Sequence, residues 1–218
     1  MIQLEDVSKI FKSSRSQVKA LNRVTLEVER GEFMLVKGPS GCGKTTLLMS
    51  IGGMLRPTSG MIRIHDRNIN ILNDKERTKF RAQHIGFVFQ MFYLIPYLNV
   101  LENIILSSGS TGDRTQHRRA LKLADDLGLS NRVDHKPFEL SAGECQRVAM
   151  ARALIHQPKI ILADEPTGNL DMENSSEVVK ILKDYHQSGG TVIMATHGDD
   201  TDNIADRIIL LNEGEIKC

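Results

Sequence analysis

The stretch Gly38-Pro39-Ser40-Gly41-Cys42-Gly43-Lys44-Thr45 fits the pattern G-x-x-x-x-G-K-[ST] at every fixed position. It follows an apolar strand, Phe33–Val36, and opens a helical pattern that runs from Lys44 to about Met54. That context is what the chemistry of the pattern requires. Glycines let backbone N–H groups converge on phosphate oxygens, and a helix N-terminus adds favourable electrostatics. Lys44 then reaches the β and γ phosphates of a nucleotide, and the Thr45 hydroxyl binds Mg²⁺. Cys42 lies inside the loop, so thiol alkylation is expected to inhibit unless bound nucleotide shields it.

Reading outward, short strands are predicted over Ile2–Val7, Val24–Val28, Phe33–Lys37, Met61–His65 and Ile85–Phe89, with a turn at Gly31-Glu32. From Met91 to about Ala153 the pattern turns helical, and Ala120, Leu121, Leu123, Ala124 and Leu127 share one side of a helix over Gln116–Leu127. Strand and helix alternate again through Ile160–Ala163, Glu173–His186 and Thr191–Ala195 to a hairpin across Asn212-Glu213-Gly214. Alternation at both ends around a helical block predicts a parallel α/β core carrying a helical insertion.

Three strand ends add to the phosphate loop. Ile160-Ile-Leu-Ala-Asp-Glu165 is a buried strand closed by carboxylates. Asp164 is placed for the magnesium shell, and Glu165, pointing elsewhere by strand alternation, for polarising an attacking water. His197 follows the apolar run Thr191–Ala195, at the sheet edge where ligands bind in such folds. It suits a hydrogen bond to the γ-phosphate and orientation of water and Glu165. Gln90 ends Ile85–Phe89 in the same way, and its amide oxygen suits Mg²⁺ or the attacking water.

Composition narrows the alternatives. The chain has 218 residues, 25% of them charged, and a formal net charge of +1. That balance argues against nucleic acid as the main partner. Cys42, Cys145 and Cys218 have no metal-ligand spacing and read as reduced thiols of a cytosolic protein. No charged-then-apolar leader and no apolar run near ~20 residues is present, so work at a membrane implies docking onto another protein's spans.

Leu140-Ser141-Ala142-Gly143-Glu144 opens a second helix start, with Ser141 as N-cap and Glu144 three residues on, as in a capping box. Such helix starts attract anions. With it, the order of motifs along nearly the whole chain resembles ABC-type ATPase domains: phosphate loop, Gln90, Leu140–Glu144, Ile160–Glu165, Gly168-Asn-Leu-Asp171 and His197. Val88–Pro96, Asn99–Asn103 and Ala163–Asp171 look like the subgroup serving lipoprotein-release, macrolide-export and cell-division permeases.

The resemblance implies a P-loop NTPase fold with a RecA-like parallel-sheet core, an N-terminal antiparallel β subdomain and an inserted α-helical subdomain. Over 1–218 it assigns 1–90 and 158–218 to the core and about 91–157 to the helical part. It also implies ATP and Mg²⁺ as ligands. Two ATPase subunits then pair head to tail, so that each ATP lies between one loop, Gly38 to Thr46, and the partner's Ser141, Ala142, Gly143, Glu144 and Asp171. Magnesium falls to Thr45, Gln90 and Asp164, and catalysis to Glu165, His197, Lys44 and Gln90. Phe11, lined by Val18, is implied to stack on adenine; the residue also suits a strand-end core position.

Two positions depart from the family pattern: Ala142 stands where Gly is common, and Glu144 where Gln is common. Ala142 argues against a positive φ there. Glu144 either caps its own helix or leans toward the partner's nucleotide. The apolar segment Met91–Asn103 is read as insertion core, as the rim that receives a short permease helix, or as both. The function implied is an ATP-hydrolysing subunit at the cytoplasmic face of the cell membrane, driving a separate permease. A force-relaying role in cell division, a soluble ATPase on DNA or ribosomes and a P-loop kinase are the rivals. The last leaves Leu140–Arg147 and the Asp171 turn unexplained.

Overall fold

The computed structural model describes residues 1–12, 16–108, 114–198 and 201–217; Cys218 and part of the loop after Phe11 lie outside them. In chain order the elements are β1 (Ile2–Lys12), β2 (Gln17–Val28), β3 (Phe33–Lys37), α1 (Lys44–Ile51), β4 (Ser59–Ile64), β5 (Arg67–Asn68), α2 (Asp74–His84) and β6 (Ile85–Val88). Then follow α3 (Val100–Ile105), α4 (Arg114–Asp126), α5 (Ala142–Leu154), β7 (Ile160–Asp164), α6 (Met172–Gln187), β8 (Thr191–Thr196), β9 (Arg207–Asn212) and β10 (Glu215–Lys217).

The strands form two sheets. One is antiparallel, in the order β2-β1-β4-β5. The other runs β10-β9-β3-β8-β7-β6, parallel except for the edge strand β10. The parallel strands are apolar on both faces because both are covered. Met34, Val36, Ile160, Leu162, Ile193 and Ala195 pack toward α1 and the antiparallel sheet. Their neighbours Phe33, Leu35, Ile161, Ala163, Val192 and Met194 pack toward Met150 of α5 and Val178 and Leu182 of α6. A third cluster joins α3, α4 and α5 through residues such as Ile104, Ala120, Ala124, Val148 and Ala151. No helix among the described residues is long and apolar enough to cross a membrane.

Three sequence expectations change. The strands of the first hairpin extend well past Val7 and begin well before Val24. Helix α2 is absent from the sequence reading because it buries only Phe80; its signal is polar, the capping box of Asn73 and Glu76. Residues 91–99 are not helical. Their polar backbone is satisfied by side chains instead: Ile95 N–H donates to Asn103 Oδ1 (2.7 Å), and Asn103 Nδ2 donates to the carbonyls of Ile95, Leu98 and Asn99 at 3.0–3.2 Å. Arg152 adds bonds of 2.6 and 2.7 Å to the carbonyls of Phe92 and Tyr93. The apolar density there belongs to a loop pinned to the insertion.

Candidate nucleotide site

The phosphate loop connects β3 to α1, and its glycines are sterically enforced. Gly38 and Gly43 have φ of 154° and 112°. A Cβ at either would come within 2.0 Å of the Leu211 carbonyl or 2.2 Å of the Ala20 carbonyl. The neighbouring chain thus allows no side chain there. Helix α1 starts at Gly43 with no side-chain cap and no acidic residue in its first turn. By contrast Asn73, Asn99, Ser141 and Asp171 cap α2, α3, α5 and α6. The first-turn donors at Lys44, Thr45 and Thr46 are therefore left for an anion. Ser40 and Gly41 form the exposed tip of the loop, next to Pro39.

Lys44 is buried, and its ammonium donates to the carbonyls of Gly38 (2.7 Å) and Pro39 (3.2 Å). It lies 3.5 Å from Glu165 Oε1. Thr45 Oγ1 donates to Asp164 Oδ1 at 3.1 Å. Burial pushes the Asp164 carboxyl above its ordinary range, opposed by the Thr45 hydrogen bond and reinforced by the charge of Glu165. A buried carboxylate beside a hydroxyl, with no counter-cation bonded to it, fits a divalent ion. Mg²⁺ characteristically takes one or two protein oxygens and completes its shell with water and phosphate.

Glu165 does not alternate away from Asp164 as a strand would have it. Its φ is +45°, so β7 ends at Asp164 and the chain turns. The turn is held by Glu165 N–H to Ala195 O (3.0 Å) and Gly168 N–H to Glu165 O (3.1 Å). Both carboxylates consequently face the phosphate loop. His197, mostly exposed, places Nδ1 3.5 Å from Glu165 Oε2. Gln90 lies by the same turn: a Cβ at Gly168 would sit 3.0 Å from its Nε2, and its carbonyl accepts from Asn169 Nδ2 (3.2 Å). Among the described residues no hydrogen bond joins Gln90 to Thr45 or Asp164.

Cys42 departs from expectation. Its side chain is only 5% exposed and belongs to the core beneath the loop. The protein itself therefore shields the sulfur, which corrects the expectation that alkylation at Cys42 inhibits unless bound nucleotide shields it. Phe11 and Val18 are cross-strand partners in β1 and β2, 44% and 58% exposed. An exposed pair is not core, and Lys9 Nζ lies 5.2 Å from the centroid of the Phe11 ring.

The second helix start lies apart from the loop. Ser141 Oγ accepts from Glu144 N–H (3.2 Å), and Glu144 Oε2 accepts from Ser141 N–H (2.8 Å). Glu144 Oε1 accepts from Arg132 Nε at 2.8 Å. Both carboxylate oxygens are thus engaged within the chain, and the expectation that Glu144 leans toward a partner's nucleotide gives way to the cap. Arg132 and the Ser141 N–H hold this carboxyl below its ordinary value. Ala142 begins α5 without a positive φ. Gly143 packs closely against α6: a Cβ there would fall 1.7 Å from Asn174 Oδ1, so that side chain would have to move. Asn174 also bonds Asp171, the cap of α6, at 2.9 Å. None of these bonds reaches the phosphate loop. Sequence reasoning missed Asn174, Arg132 and Gln146, the last donating to the Pro166 carbonyl (2.6 Å) beside Glu165; their side chains act across elements and carry no local signal.

A model of the family described as "ABC transporter" matches residues 21–168. The chain belongs to the ABC transporter family. It is an ATP-binding cassette and an ABC-type ATPase. It is 43% identical to the lipoprotein-releasing system ATP-binding protein LolD of Bacteroides fragilis, over 99% of this chain and 100% of that one. It is 42% identical to the macrolide export ATP-binding/permease protein MacB of Chlorobaculum tepidum over 99% of this chain, and spans 33% of that longer protein. A dimeric structure described as a post-hydrolysis state of the ATP-binding cassette MJ0796 bound to ADP and Pi superposes with a TM-score of 0.93. The identity there is 40%, covering 100% of this cassette and 97% of that chain.

Proposed function

We propose that this cassette is the energising subunit of a transporter of the lipoprotein-release or macrolide-export kind, working through ATP-driven pairing of two copies. One observation carries the reading. The start of α5, capped by Ser141 and Glu144 and with the N–H groups of Ala142 and Gly143 in its first turn, makes no bond to the chain's own phosphate loop, whose helix start is uncapped. Two half-sites that do not meet within one chain are completed by a twofold pair.

In that pair the loop from Gly38 to Thr46 holds the phosphates, and Lys44 exchanges its carbonyl partners for β and γ oxygens. Phe11 and Val18 offer an apolar platform for the adenine. Thr45 and Asp164 hold Mg²⁺, with Gln90 near the same turn; the ion's contribution is to neutralise phosphate charge. Glu165 accepts a proton from the attacking water, and His197 orients that water and the γ-phosphate. Across the interface the Ser141 hydroxyl, whose oxygen accepts the Glu144 N–H, turns its O–H from the Glu144 carboxylate toward the partner's nucleotide. With the N–H groups of Ala142 and Gly143, and with Asp171 placing the turn before α6, it closes on the partner's γ-phosphate. Cleavage of the γ-phosphoryl removes what holds the two copies together, so ATP and ADP favour different geometries.

The exposed side chains of Met91, Tyr93 and Tyr97 form an apolar rim on the pinned loop after Gln90. It suits a short helix of an integral membrane permease, which holds the cassette at the cytoplasmic face of the membrane. A mixing experiment tests the shared site. Lys44→Ala and Ser141→Arg chains, each inactive alone, regenerate one intact site in their mixed dimer and so recover ATPase activity. Mixtures as inactive as the parents overturn the reading.

A further inference from the structure

Three cationic residues and a histidine, from four parts of the chain, line one cavity of about 410 Å³. Arg30 precedes β3, His65 sits in the turn between β4 and β5, Arg119 is on α4, and Lys159 precedes β7. Because the cavity gathers the segments just before β3, β7 and β8, it lies at the N-terminal ends of the parallel strands. The nucleotide loop, Asp164 and His197 lie at the opposite ends. This cavity therefore belongs to neither half-site.

Its charge is unbalanced. No Asp or Glu lines it, and Arg30, Arg119 and Lys159 make no ion pair or side-chain hydrogen bond among the described residues. His65 Nε2 is buried without a hydrogen-bond partner. The chain as a whole carries only +1, so this concentration is local. Burial, then the amino terminus, His84, Lys159 and Arg30, hold the His65 ring below its ordinary value, which records the same positive field. Arg30 and Lys159 are exposed and Arg119 half-buried, so the like charges around this open pocket set up a local positive field that an anion would offset. Leu123 and Leu154 add an apolar wall. The volume lies near the lower end of the range for small-molecule sites, roughly 300–1,000 Å³.

We propose that this cavity binds a phosphate ester. Arg30, Arg119 and Lys159 receive the phosphate, and Leu123 and Leu154 receive a short carbon body. Arginine forks suit phosphate oxygens better than any neutral donor. The ester can come from a soluble metabolite or from a phospholipid headgroup, and the two share this chemistry.

The test uses protein saturated with ADP and Mg²⁺, so that the phosphate loop is occupied. The probes are glycerol 3-phosphate, and vesicles of phosphatidylglycerol set against phosphatidylcholine. The comparison is with an Arg119→Gln/Lys159→Gln variant, whose ATPase activity is expected to equal the wild type. Glycerol 3-phosphate at about ten times its Kd should raise the wild-type Tm by roughly 3–5 °C, and the variant's by less than about 1 °C. That result assigns a soluble ester. Flotation with phosphatidylglycerol vesicles alone, lost in the variant, assigns the headgroup. Equal shifts in both proteins, or neither shift nor flotation in the wild type, overturn the proposal.

Discussion

The side chain of Gln146, fully buried on α5, donates a 2.6 Å hydrogen bond to the carbonyl of Pro166. Pro166 directly follows Glu165, whose left-handed backbone turns its carboxylate toward Lys44. One hydrogen bond therefore ties the helix that starts at Ser141 to the turn that aims the carboxylate. Replacing Gln146 with Leu leaves the Pro166 carbonyl unpaired, at about 1–3 kcal/mol. We expect kcat for ATP to fall about tenfold with KM changed less than about twofold. An unchanged kcat in a destabilised protein would reduce the bond to a packing role.

Glu165→Gln removes the proton acceptor while keeping the shape of the turn. Turnover is expected to drop by at least about 100-fold with ATP affinity retained. ATP should then trap a dimer visible by light scattering, and a variant that stays monomeric in saturating ATP argues against the paired site.

Glu144 links stability to pH. Its folded-state pKa is held below the ordinary 4.5 by Arg132 and by the Ser141 N–H. A depressed carboxylate contributes stability above its unfolded pKa and loses it as pH falls through the folded pKa. Glu144→Gln should therefore cost about 0.5–1 kcal/mol at pH 7. That difference should shrink below about pH 4 in urea titrations. A constant difference from pH 7 to 3.5 would contradict the ion-paired cap.

Cys42 packs in the core beneath the phosphate loop. Alkylation by a bulky thiol reagent should be slow in the folded protein and nearly indifferent to ATP. Rapid labelling that ATP blocks would put the sulfur on the phosphate side instead.

Much of the site was legible because its logic is local. The strand, glycine loop and helix from Phe33 onward are contiguous, and the steric demand on Gly38 and Gly43 matches their spacing in the motif. Capping of α5 and α6 could be read from Ser141 with Glu144 and from Asp171, since a cap acts over three residues. Helix α2 escaped because apolar periodicity finds only helices with an apolar stripe. The loop 91–99 misled because apolar content reports burial, and only Asn103 and Arg152 reveal how its backbone is satisfied. Glu165 misled for the opposite reason: alternation holds only while a strand continues, and this one ends a residue earlier.

By itself the sequence determined the phosphate loop, the caps and the class of fold, since each depends on neighbours along the chain. The tertiary structure alone decided which distant groups meet. Asp164 reaches Thr45 across 119 residues because β8 lies between β3 and β7, bringing the C-terminal ends of these parallel strands to one edge. The same register brings Arg30 and Lys159 to the opposite edge, beside His65 and Arg119. Long-range pairing carries no trace in local spacing, and both ends of the sheet depend on it.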